Sequence, residues 1–349
     1  MARYWVAGAT GFLGAHVVRC LRAEGHDVVG VSRGGGNVDG LVVDAIDVLD
    51  SARVAESARG ADGAFLAMGK VSRDPSDAEE LHRVNATGTR TALLGLEKAG
   101  VRRVVHASTS GTIAISTEPT VADETSETPL ELIAKWPYYR TKRYGEMEAL
   151  EANNPPDFEV VVVNPSLLLG PGDLRGSSTD DIRRFMSGEV LAVPRGGLAF
   201  VDVRDAALGM VSAMKLGRPG ERYLLSAVNL SMPAFLQKLE RITGVPGPRL
   251  PLPRSSALAT SMTRLFERAV KAVGGELPMN DVSVEMAQHF WYCDSGKAME
   301  ELGFAPRDVA TTLRDTVIDL VTRGVVHPRE GHFGESAGTA SPASFDGSP

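Results

Sequence analysis

The strongest constraint on the fold of this chain is a glycine-spaced turn close to its first residue. The apolar run Tyr4–Ala7 predicts a strand, and the segment Gly14–Ala23 predicts a helix. Glycines at a three-residue spacing let the turn between them tighten, and they let its backbone approach a pyrophosphate at the positive end of the helix. The order of strand, glycine turn and helix predicts a dinucleotide site whose phosphate turn contains Gly8, Thr10, Gly11, Phe12, Leu13 and Gly14.

Short apolar runs alternate with helical patterns over the first two-thirds of the chain. The run Glu159–Asn164 is almost entirely valine, which is typical of a strand buried on both faces of a parallel sheet. Other strands are predicted at Asp27–Ser32, Gly40–Val43, Gly63–Ala67, Arg103–Ala107 and Arg222–Ser226; helices at Ala78–Ala99, Tyr138–Glu151, Met232–Thr243, Ala257–Val273 and Thr311–Arg323; and a strand end running into a helix at Phe200–Lys215. This alternation predicts an α/β fold with a Rossmann-type, doubly wound parallel sheet.

The pattern becomes irregular and rich in Gly and Pro after Leu169, which indicates a second unit. We expect residues 1–168 with 200–228 to form the NAD(P)-binding Rossmann domain. Residues 169–199 with 229–333 are expected to form a smaller, mostly helical substrate-binding domain. The segment 334–349 consists mainly of Gly, Ser, Ala and Pro without periodicity, which predicts a disordered tail.

Composition argues against several classes of function. A net charge of -7 and the lack of a dense Lys/Arg tract argue against nucleic-acid binding. Cys20 and Cys293 form no disulfide framework and have no zinc-like spacing, so we expect reduced thiols and no metal site. No segment approaches the roughly 20 apolar residues of a membrane span, and the N-terminus does not resemble a signal peptide. We therefore expect a cytoplasmic protein.

The end of the second strand bears on which dinucleotide is bound. Arg33 follows that strand at the position where an acidic residue would hold the ribose hydroxyls of NAD. An arginine can instead pair with the 2′-phosphate of NADP, so the sequence predicts that NADP(H) is preferred and NAD(H) is the second choice. The alternative is that Arg33 is a solvated surface residue. Asp47 and Val48 are expected to line the adenine pocket.

Candidate reactive groups lie on one helix and at one strand end. Tyr138 and Lys142 are four residues apart, so a helix would project both side chains from one face. A phenol has a pKa near ~10, and a neighbouring ammonium favours the phenolate and so lowers that pKa. Thr109 lies at the carboxyl end of the predicted strand Arg103–Ala107, where a hydroxyl can stabilise charge on a carbonyl oxygen. Ser108 and Ser110 are alternatives for that hydroxyl.

Together these segments resemble the extended short-chain dehydrogenase/reductases of the NAD-dependent epimerase/dehydratase superfamily, especially dihydroflavonol-reductase-like and 3β-hydroxysteroid-dehydrogenase-like members. Bacterial hopanoid-associated reductase-like members are also similar. Besides the glycine turn, the motifs that carry the resemblance are Asn85-Ala86-Thr87-Gly88-Thr89, Tyr138 with Lys142 and Glu146, Asn164-Pro165-Ser166 with Gly170-Pro171-Gly172, and Asp294 and Lys297-Ala298 with Glu301-Leu302-Gly303-Phe304.

The resemblance implies a catalytic triad of Thr109, Tyr138 and Lys142. Tyr138 would exchange a proton with the substrate oxygen, and C4 of the nicotinamide would give or take the hydride. Lys142 would also hold the nicotinamide ribose, with Ala67 and Pro165 at the same cofactor. By family analogy the chain would form a homodimer through the two predicted helices Ala78–Ala99 and Tyr138–Glu151.

Three functions compete for this constellation. The favoured one is a reductase or dehydrogenase that interconverts a ketone and a secondary alcohol on a bulky, largely apolar molecule of flavonoid, steroid or hopanoid type. The alternative is a nucleotide-sugar 4-epimerase with tightly bound NAD. A sugar dehydratase is disfavoured, because Ser110 and Gly111 follow Thr109 at the place where such an enzyme has an acidic pair. A non-catalytic NADP(H) sensor is disfavoured by the intact Tyr138 and Lys142. A helically spaced apolar set is interpreted first as a helix core, and alternatively as an apolar wall of the pocket or a shallow membrane contact for a lipid substrate. It consists of Met262, Leu265, Phe266, Ala269, Val270 and Val273.

Overall fold

Eight strands form a central, mostly parallel sheet in the computed structural model, which describes residues 1–252 and 281–327. The strands of this sheet and of a second, three-stranded sheet are, in chain order, β1 (Arg3–Ala7), β2 (Asp27–Ser32), β3 (Gly36–Val38), β4 (Leu41–Ala45), β5 (Gly63–Leu66), β6 (Arg103–Ala107), β7 (Glu159–Pro165), β8 (Leu167–Leu169), β9 (Gly197–Asp202), β10 (Arg222–Leu225) and β11 (Val228–Ser231). The sheet order is β10-β7-β6-β5-β1-β2-β4-β3, and every pairing is parallel except β3 with β4.

This strand order confirms the Rossmann-type fold that the sequence predicts. The chain runs outward from β1 through β2 and then β4, and it crosses back to continue on the other side of β1 with β5. The direction of winding therefore reverses between β1 and β5. In open α/β sheets a ligand crevice forms at such a reversal, outside the carboxyl ends of the strands.

The helices cover both faces of the sheet. Their bounds are α1 (Phe12–Ala23), α2 (Ser51–Ser57), α3 (Ala78–His82), α4 (Gly88–Lys98), α5 (Leu130–Ile133), α6 (Pro137–Glu151), α7 (Asp180–Met186), α8 (Val203–Leu216), α9 (Met232–Thr243), α10 (Asp281–Met286), α11 (Gly296–Leu302) and α12 (Val309–Thr322). Helices α1 and α8 pack together on one face, and α2, α4 and α6 pack on the other. Residues Val160–Val163 of β7 are fully buried between these layers, as the all-valine run predicts.

The single long helix predicted at Ala78–Ala99 is divided by a π-helical turn, Arg83–Thr87. Helix α6 passes close to this turn, as shown by Gly145, where an added Cβ would lie only 2.2 Å from the backbone oxygen of Asn85. The wide turn also directs the Asn85 side chain to the backbone N–H and carbonyl of Lys70, at 2.9 and 3.0 Å. Periodicity alone does not reveal such a turn, since it depends on the close approach of a second helix.

A second apolar core lies beside the Rossmann sheet. It combines the three-stranded sheet β11-β9-β8 with helices α7, α9 and α12. The sequence predicts mainly loops and helices here because β8 and β11 are short, and of β9 it predicts only the strand end that begins at Phe200. The predicted helix Ala257–Val273, with its apolar positions, and the predicted tail 334–349 lie outside the described residues. Within residues 1–252 and 281–327, no helix is long and apolar enough to cross a membrane.

Candidate active site

The turn between β1 and α1 can be built only with glycine at two positions. Gly8 has a φ of +76°, and a Cβ on it would lie 2.7 Å from the backbone oxygen of Ala67 in the segment after β5. A Cβ on Gly14 would lie 2.1 Å from the Gly8 oxygen. The predicted cofactor residue Ala67 is thus in direct backbone contact with the turn, and the phosphate turn lies beside the β1–β5 reversal.

The first turn of α1 leaves its backbone N–H groups available to an anion. Gly11 is the N-cap residue, no side chain caps the helix, and its first turn has no acidic residue. Leu13 is buried in the core beneath the turn, and the Thr10 methyl lies against Gly36 at the start of β3. Uncapped N–H groups at a helix N-terminus are what a pyrophosphate binds. The turn therefore fits the diphosphate of a nicotinamide dinucleotide.

Arg33 follows β2 on the surface beside α3. Its side chain is 67% exposed, and its Nη1 lies 3.2 Å from Glu80 Oε1. The same carboxylate accepts two shorter hydrogen bonds from Arg83, at 2.7 and 2.9 Å. Two arginines thus share one carboxylate at the end of β2. Asp47 is exposed and accepts a hydrogen bond from the backbone N–H of Leu49.

The predicted adenine-pocket residue Val48 packs beneath this surface. It belongs to the partly buried fringe of the core under α2 and α4. Its Cγ2 would lie 3.2 Å from a Cβ on Gly88. The structure therefore places Val48 between the end of β4 and α4, where its methyl groups contact the helix.

Lys142 is buried at the carboxyl end of β6. Its residue exposure is 5%, and its Nζ donates a hydrogen bond of 2.8 Å to the backbone oxygen of Ala107. Burial lowers the pKa of the Lys142 ammonium to about 8, and the Glu146 carboxylate opposes part of that shift. A cation with few partners beside the strand end fits the binding of ribose hydroxyls.

Tyr138 occupies the first turn of α6, which begins with Pro137 after the extended residue Trp136. Burial raises the pKa of the Tyr138 phenol above its ordinary range, and Tyr139 adds to this. The sequence argument for a lowered pKa next to Lys142 is wrong for the chain alone, because the loss of hydration raises that pKa instead. A protonated phenol can donate its proton, which suits the protonation of a carbonyl oxygen.

The three candidate hydroxyls after β6 have different environments. Ser108 is buried and donates a 2.6 Å hydrogen bond to Glu146 Oε2. Ser110 is buried beside Cys293, and it slightly offsets the rise that burial causes in the pKa of that thiol. Thr109 is half-buried, and its Oγ1 accepts a 3.3 Å hydrogen bond from the backbone N–H of Gly111. Of the three, Thr109 alone is not buried, and its hydroxyl donates to no protein group among the described residues.

A buried carboxylate lies beneath Thr109. The sequence reasoning named Glu146 only as part of the motif on the Tyr138 helix and gave it no role, although its position four residues after Lys142 was a usable signal. Glu146 is fully buried, and its Oε2 accepts hydrogen bonds from Ser108, Thr112 and Asn164, at 2.6, 2.8 and 2.7 Å. Its Oε1 lies 3.2 Å from one arginine of its own helix and from another on β10, namely Arg143 and Arg222. The charge is thus fully compensated.

An aromatic cluster lies beside Tyr138. The ring of Tyr139 contacts that of Tyr138 edge-on, with centroids 4.9 Å apart, and that of Trp291 at 4.8 Å. Trp136 completes the cluster, 5.6 Å from Trp291. A Cβ on Gly111 would lie 2.2 Å from the Tyr139 ring, so the strand-end turn needs glycine there. Trp291 comes from the C-terminal motif region, and only the tertiary structure brings it to this site.

The segment after β7 borders the site on the side of α1. Pro165 ends β7 and pairs in register with Leu225 of β10. Further along, the backbone oxygen of Pro171 lies 3.0 Å from His16 Nε2 on α1. The structure therefore gathers the glycine turn, the β6 end, the first half of α6 and the β7 end at one edge of the sheet.

Comparison with known proteins agrees with this architecture. Residues 4–226 match the model of the NAD dependent epimerase/dehydratase family. A Synechocystis protein named "Putative dihydroflavonol 4-reductase" is 32% identical over 332 residues, which are 93% of this chain and 96% of that one. Sterol demethylase protein B of Methylococcus capsulatus is 32% identical over 334 residues, covering 92% and 99%.

Two solved structures show the same fold. A nucleoside-diphosphate-sugar epimerase from Pseudomonas aeruginosa superposes with a TM-score of 0.73 at 25% identity, covering 93% of this chain and 99% of that one. The dTDP-glucose 4,6-dehydratase DesIV of Streptomyces venezuelae, solved with NAD bound, gives a TM-score of 0.71 at 22% identity, with 93% and 98% covered. The chain belongs to the NAD dependent epimerase/dehydratase family, the extended short-chain dehydrogenase/reductases, and is an NAD(P)-dependent oxidoreductase.

Proposed function

We propose that this chain is an NADP(H)-dependent oxidoreductase that interconverts a ketone and a secondary alcohol on a bulky, largely apolar molecule. The observation that carries the proposal is that helix α6, which contains Tyr138 and Lys142, packs against the turn after β6, where the Thr109 hydroxyl donates to no described protein group. The aromatic cluster of Trp136, Tyr139 and Trp291 borders the same place and supports an apolar substrate of flavonoid, steroid or hopanoid type.

The roles of the residues follow from this arrangement. The cofactor, when bound, supplies the hydride that adds to the carbonyl carbon. Thr109 donates a hydrogen bond to the carbonyl oxygen, and Tyr138 delivers the proton that turns this oxygen into a hydroxyl. Lys142, fixed by the Ala107 oxygen, holds the nicotinamide ribose. In the opposite direction Tyr138 takes the proton back, so the same groups serve both directions.

The second candidate is a nucleotide-sugar 4-epimerase with tightly bound NAD, and the two sugar-nucleotide enzymes of the same fold favour it. Against it, both 32% identical relatives carry names other than sugar epimerase. Arg33 also stands where an acid would hold the NAD ribose. A screen that follows NADPH absorbance with bulky ketones, beside UDP-sugars assayed for epimerised product, separates the two. Turnover of a UDP-sugar alone would replace the proposed function with the second candidate.

We propose that Arg33 carries the preference for NADP(H). Arg33→Ala is expected to weaken NADPH binding about ten- to a hundredfold, since one charge-assisted contact contributes about 1.5–3 kcal/mol. NADH binding should stay within about twofold. The measurement is the Kd of each cofactor by fluorescence titration. Arg19→Ala is the control, since Arg19 is also an exposed arginine paired with one carboxylate, that of Asp39. Equal NADPH and NADH affinities in the unaltered protein would contradict this prediction.

We also propose a homodimer through the surface formed by α4 and α6. Leu94, Tyr144 and Met147 are 43–48% exposed on this surface, and shallow clefts between them are lined by Arg90 and Glu148. A two-fold axis would bring these opposite charges together while burying the apolar side chains. Sedimentation should give twice the chain mass of 37.1 kDa, and Leu94→Glu should give monomers. A monomeric unaltered protein would contradict the dimer.

A further inference from the structure

We propose that Glu146 is a positioning residue that sets the Thr109 hydroxyl and the charge of Lys142 together. This inference rests on the proposed function and adds a role for a residue that touches neither substrate nor cofactor. Glu146 lies on the buried side of the site, one helical turn after Lys142. Hydrogen bonds lead from its carboxylate to Thr109, and an electrostatic effect links it to Lys142.

The first chain of contact reaches the backbone of Thr109. Asn164 donates one amide hydrogen to Glu146 Oε2 at 2.7 Å and another to the Thr109 backbone oxygen at 3.1 Å. The Thr112 hydroxyl lies between the same two acceptors, 2.8 Å from Glu146 and 2.9 Å from Thr109. Thr109 is thus held from behind by two side chains that are both oriented by one carboxylate. A shift of the carboxylate would move the Thr109 hydroxyl relative to the substrate oxygen.

The second link, from Glu146 to Lys142, is electrostatic. The Glu146 carboxylate raises the pKa of the Lys142 ammonium against the lowering effect of burial. His106 faces Lys142 from β6, and burial holds the pKa of its imidazole well below the usual range, so it adds no charge. Gly69 faces Lys142 from the loop after β5, and the ammonium of the next residue, Lys70, is paired with Asp77. Tyr138, on the same helix, is protonated. Glu146 is therefore the anion that favours the charged form of Lys142.

The contacts of Glu146 also determine what its replacement by an amide would do. The guanidinium groups of Arg143 and Arg222 lie on its other oxygen, each at 3.2 Å. An amide in place of the carboxylate would keep one acceptor oxygen but would turn its N–H₂ group toward either the arginines or the three neutral donors, all of which are themselves donors. One of the two sets would then lose its acceptor, and the network that fixes the strand-end turn would be disrupted.

The test compares Glu146→Gln with Glu159→Gln. Glu159 begins β7 at the end away from the site and is paired with Arg103, so it controls for loss of a partly buried ion pair. In the unaltered protein, binding of the nicotinamide cofactor should weaken as the pH rises through about 8, because Lys142 loses its proton. In Glu146→Gln this fall should begin about one pH unit lower. The value of kcat with a ketone substrate should fall about ten- to a hundredfold. Glu159→Gln should change neither.

Thr112→Val separates the two roles. It removes one hydroxyl between Glu146 and Thr109 but keeps the carboxylate, so it should lower kcat severalfold and leave the pH dependence of cofactor binding unchanged. The inference is overturned if a folded Glu146→Gln shows the same pH dependence of cofactor binding as the unaltered protein. It is also overturned if Thr112→Val retains full kcat, and this second test applies even if Glu146→Gln fails to fold. A protein that binds cofactor with the expected shift but reduces no ketone contradicts only the proposed function.

Discussion

Tyr138→Phe is expected to lower kcat by about 10²–10⁴-fold, because the phenol is the proposed proton donor and general acid catalysis of this kind contributes that much. The affinity for NADPH should stay within about twofold, since the proposed binding site of the pyrophosphate is the backbone of the glycine turn and not the phenol. The phenylalanine ring also keeps the edge-on contact with Tyr139. The measurement pairs NADPH oxidation at saturating substrate with a fluorescence titration of the cofactor.

The neighbouring tyrosine provides the matched control for this experiment. Tyr139→Phe removes an equally buried hydroxyl from the same helix turn, and burial raises the pKa of the Tyr139 phenol to about 12. It should leave kcat within about threefold, because its ring contact with Trp291 survives. Near-normal kcat in Tyr138→Phe, or a large loss confined to Tyr139→Phe, would show that the proton donor is misassigned.

Gly11→Val should abolish measurable dinucleotide binding, a loss of at least about a hundredfold. A Cβ at Gly11 would already lie 3.0 Å from the Gly8 oxygen, and the two methyl groups beyond it would fill the space in front of the first turn of α1. At least two charge-assisted contacts to the pyrophosphate would be lost, each contributing about 1.5–3 kcal/mol. Equilibrium dialysis with NADPH measures the loss, and circular dichroism checks that the sheet remains folded.

Gly296→Val is the control for a valine at a helix start. Gly296 begins α11 in the C-terminal part of the chain, and a Cβ there meets its nearest atom at 3.5 Å, an ordinary contact distance. Its cofactor binding should equal that of the unaltered protein. Undiminished binding in Gly11→Val would mean that the diphosphate does not lie on this turn.

Local patterns in the sequence were sufficient to predict the elements whose conformation depends on their own residues and on the immediate neighbours of those residues. The glycine turn is set by backbone φ values and close approach, which depend on glycine itself. The valine run at Val160–Val163 matches a strand buried on both sides, because hydrophobic burial acts on each residue of it. The helix that contains Tyr138 and Lys142 begins at a proline, another local signal.

Three of the short strands could not be predicted in the same way, whereas the four-residue strands β5 and β10 were predicted from their buried apolar residues. β3, β8 and β11 contain too few residues for a period of two to stand out, and each is stabilised by pairing with a strand that is placed by the fold. The π turn at Arg83–Thr87 likewise depends on the passage of Gly145. Such elements are selected by tertiary packing more than by intrinsic preference.

The sequence by itself determined the Rossmann-type sheet, the dinucleotide turn and the set of candidate reactive groups, because these follow from glycine geometry, periodicity and residue spacing. Only the tertiary structure decided which groups are engaged. Ser108 donates to Glu146, a residue distant in sequence, and Ser110 is buried, whereas the Thr109 hydroxyl is half-buried and donates to no described protein group. It also decided the direction of the Tyr138 pKa shift, since burial by surrounding elements raises that pKa. Hydrogen-bond partners and desolvation are properties of the folded surroundings, which spacing along the chain does not contain.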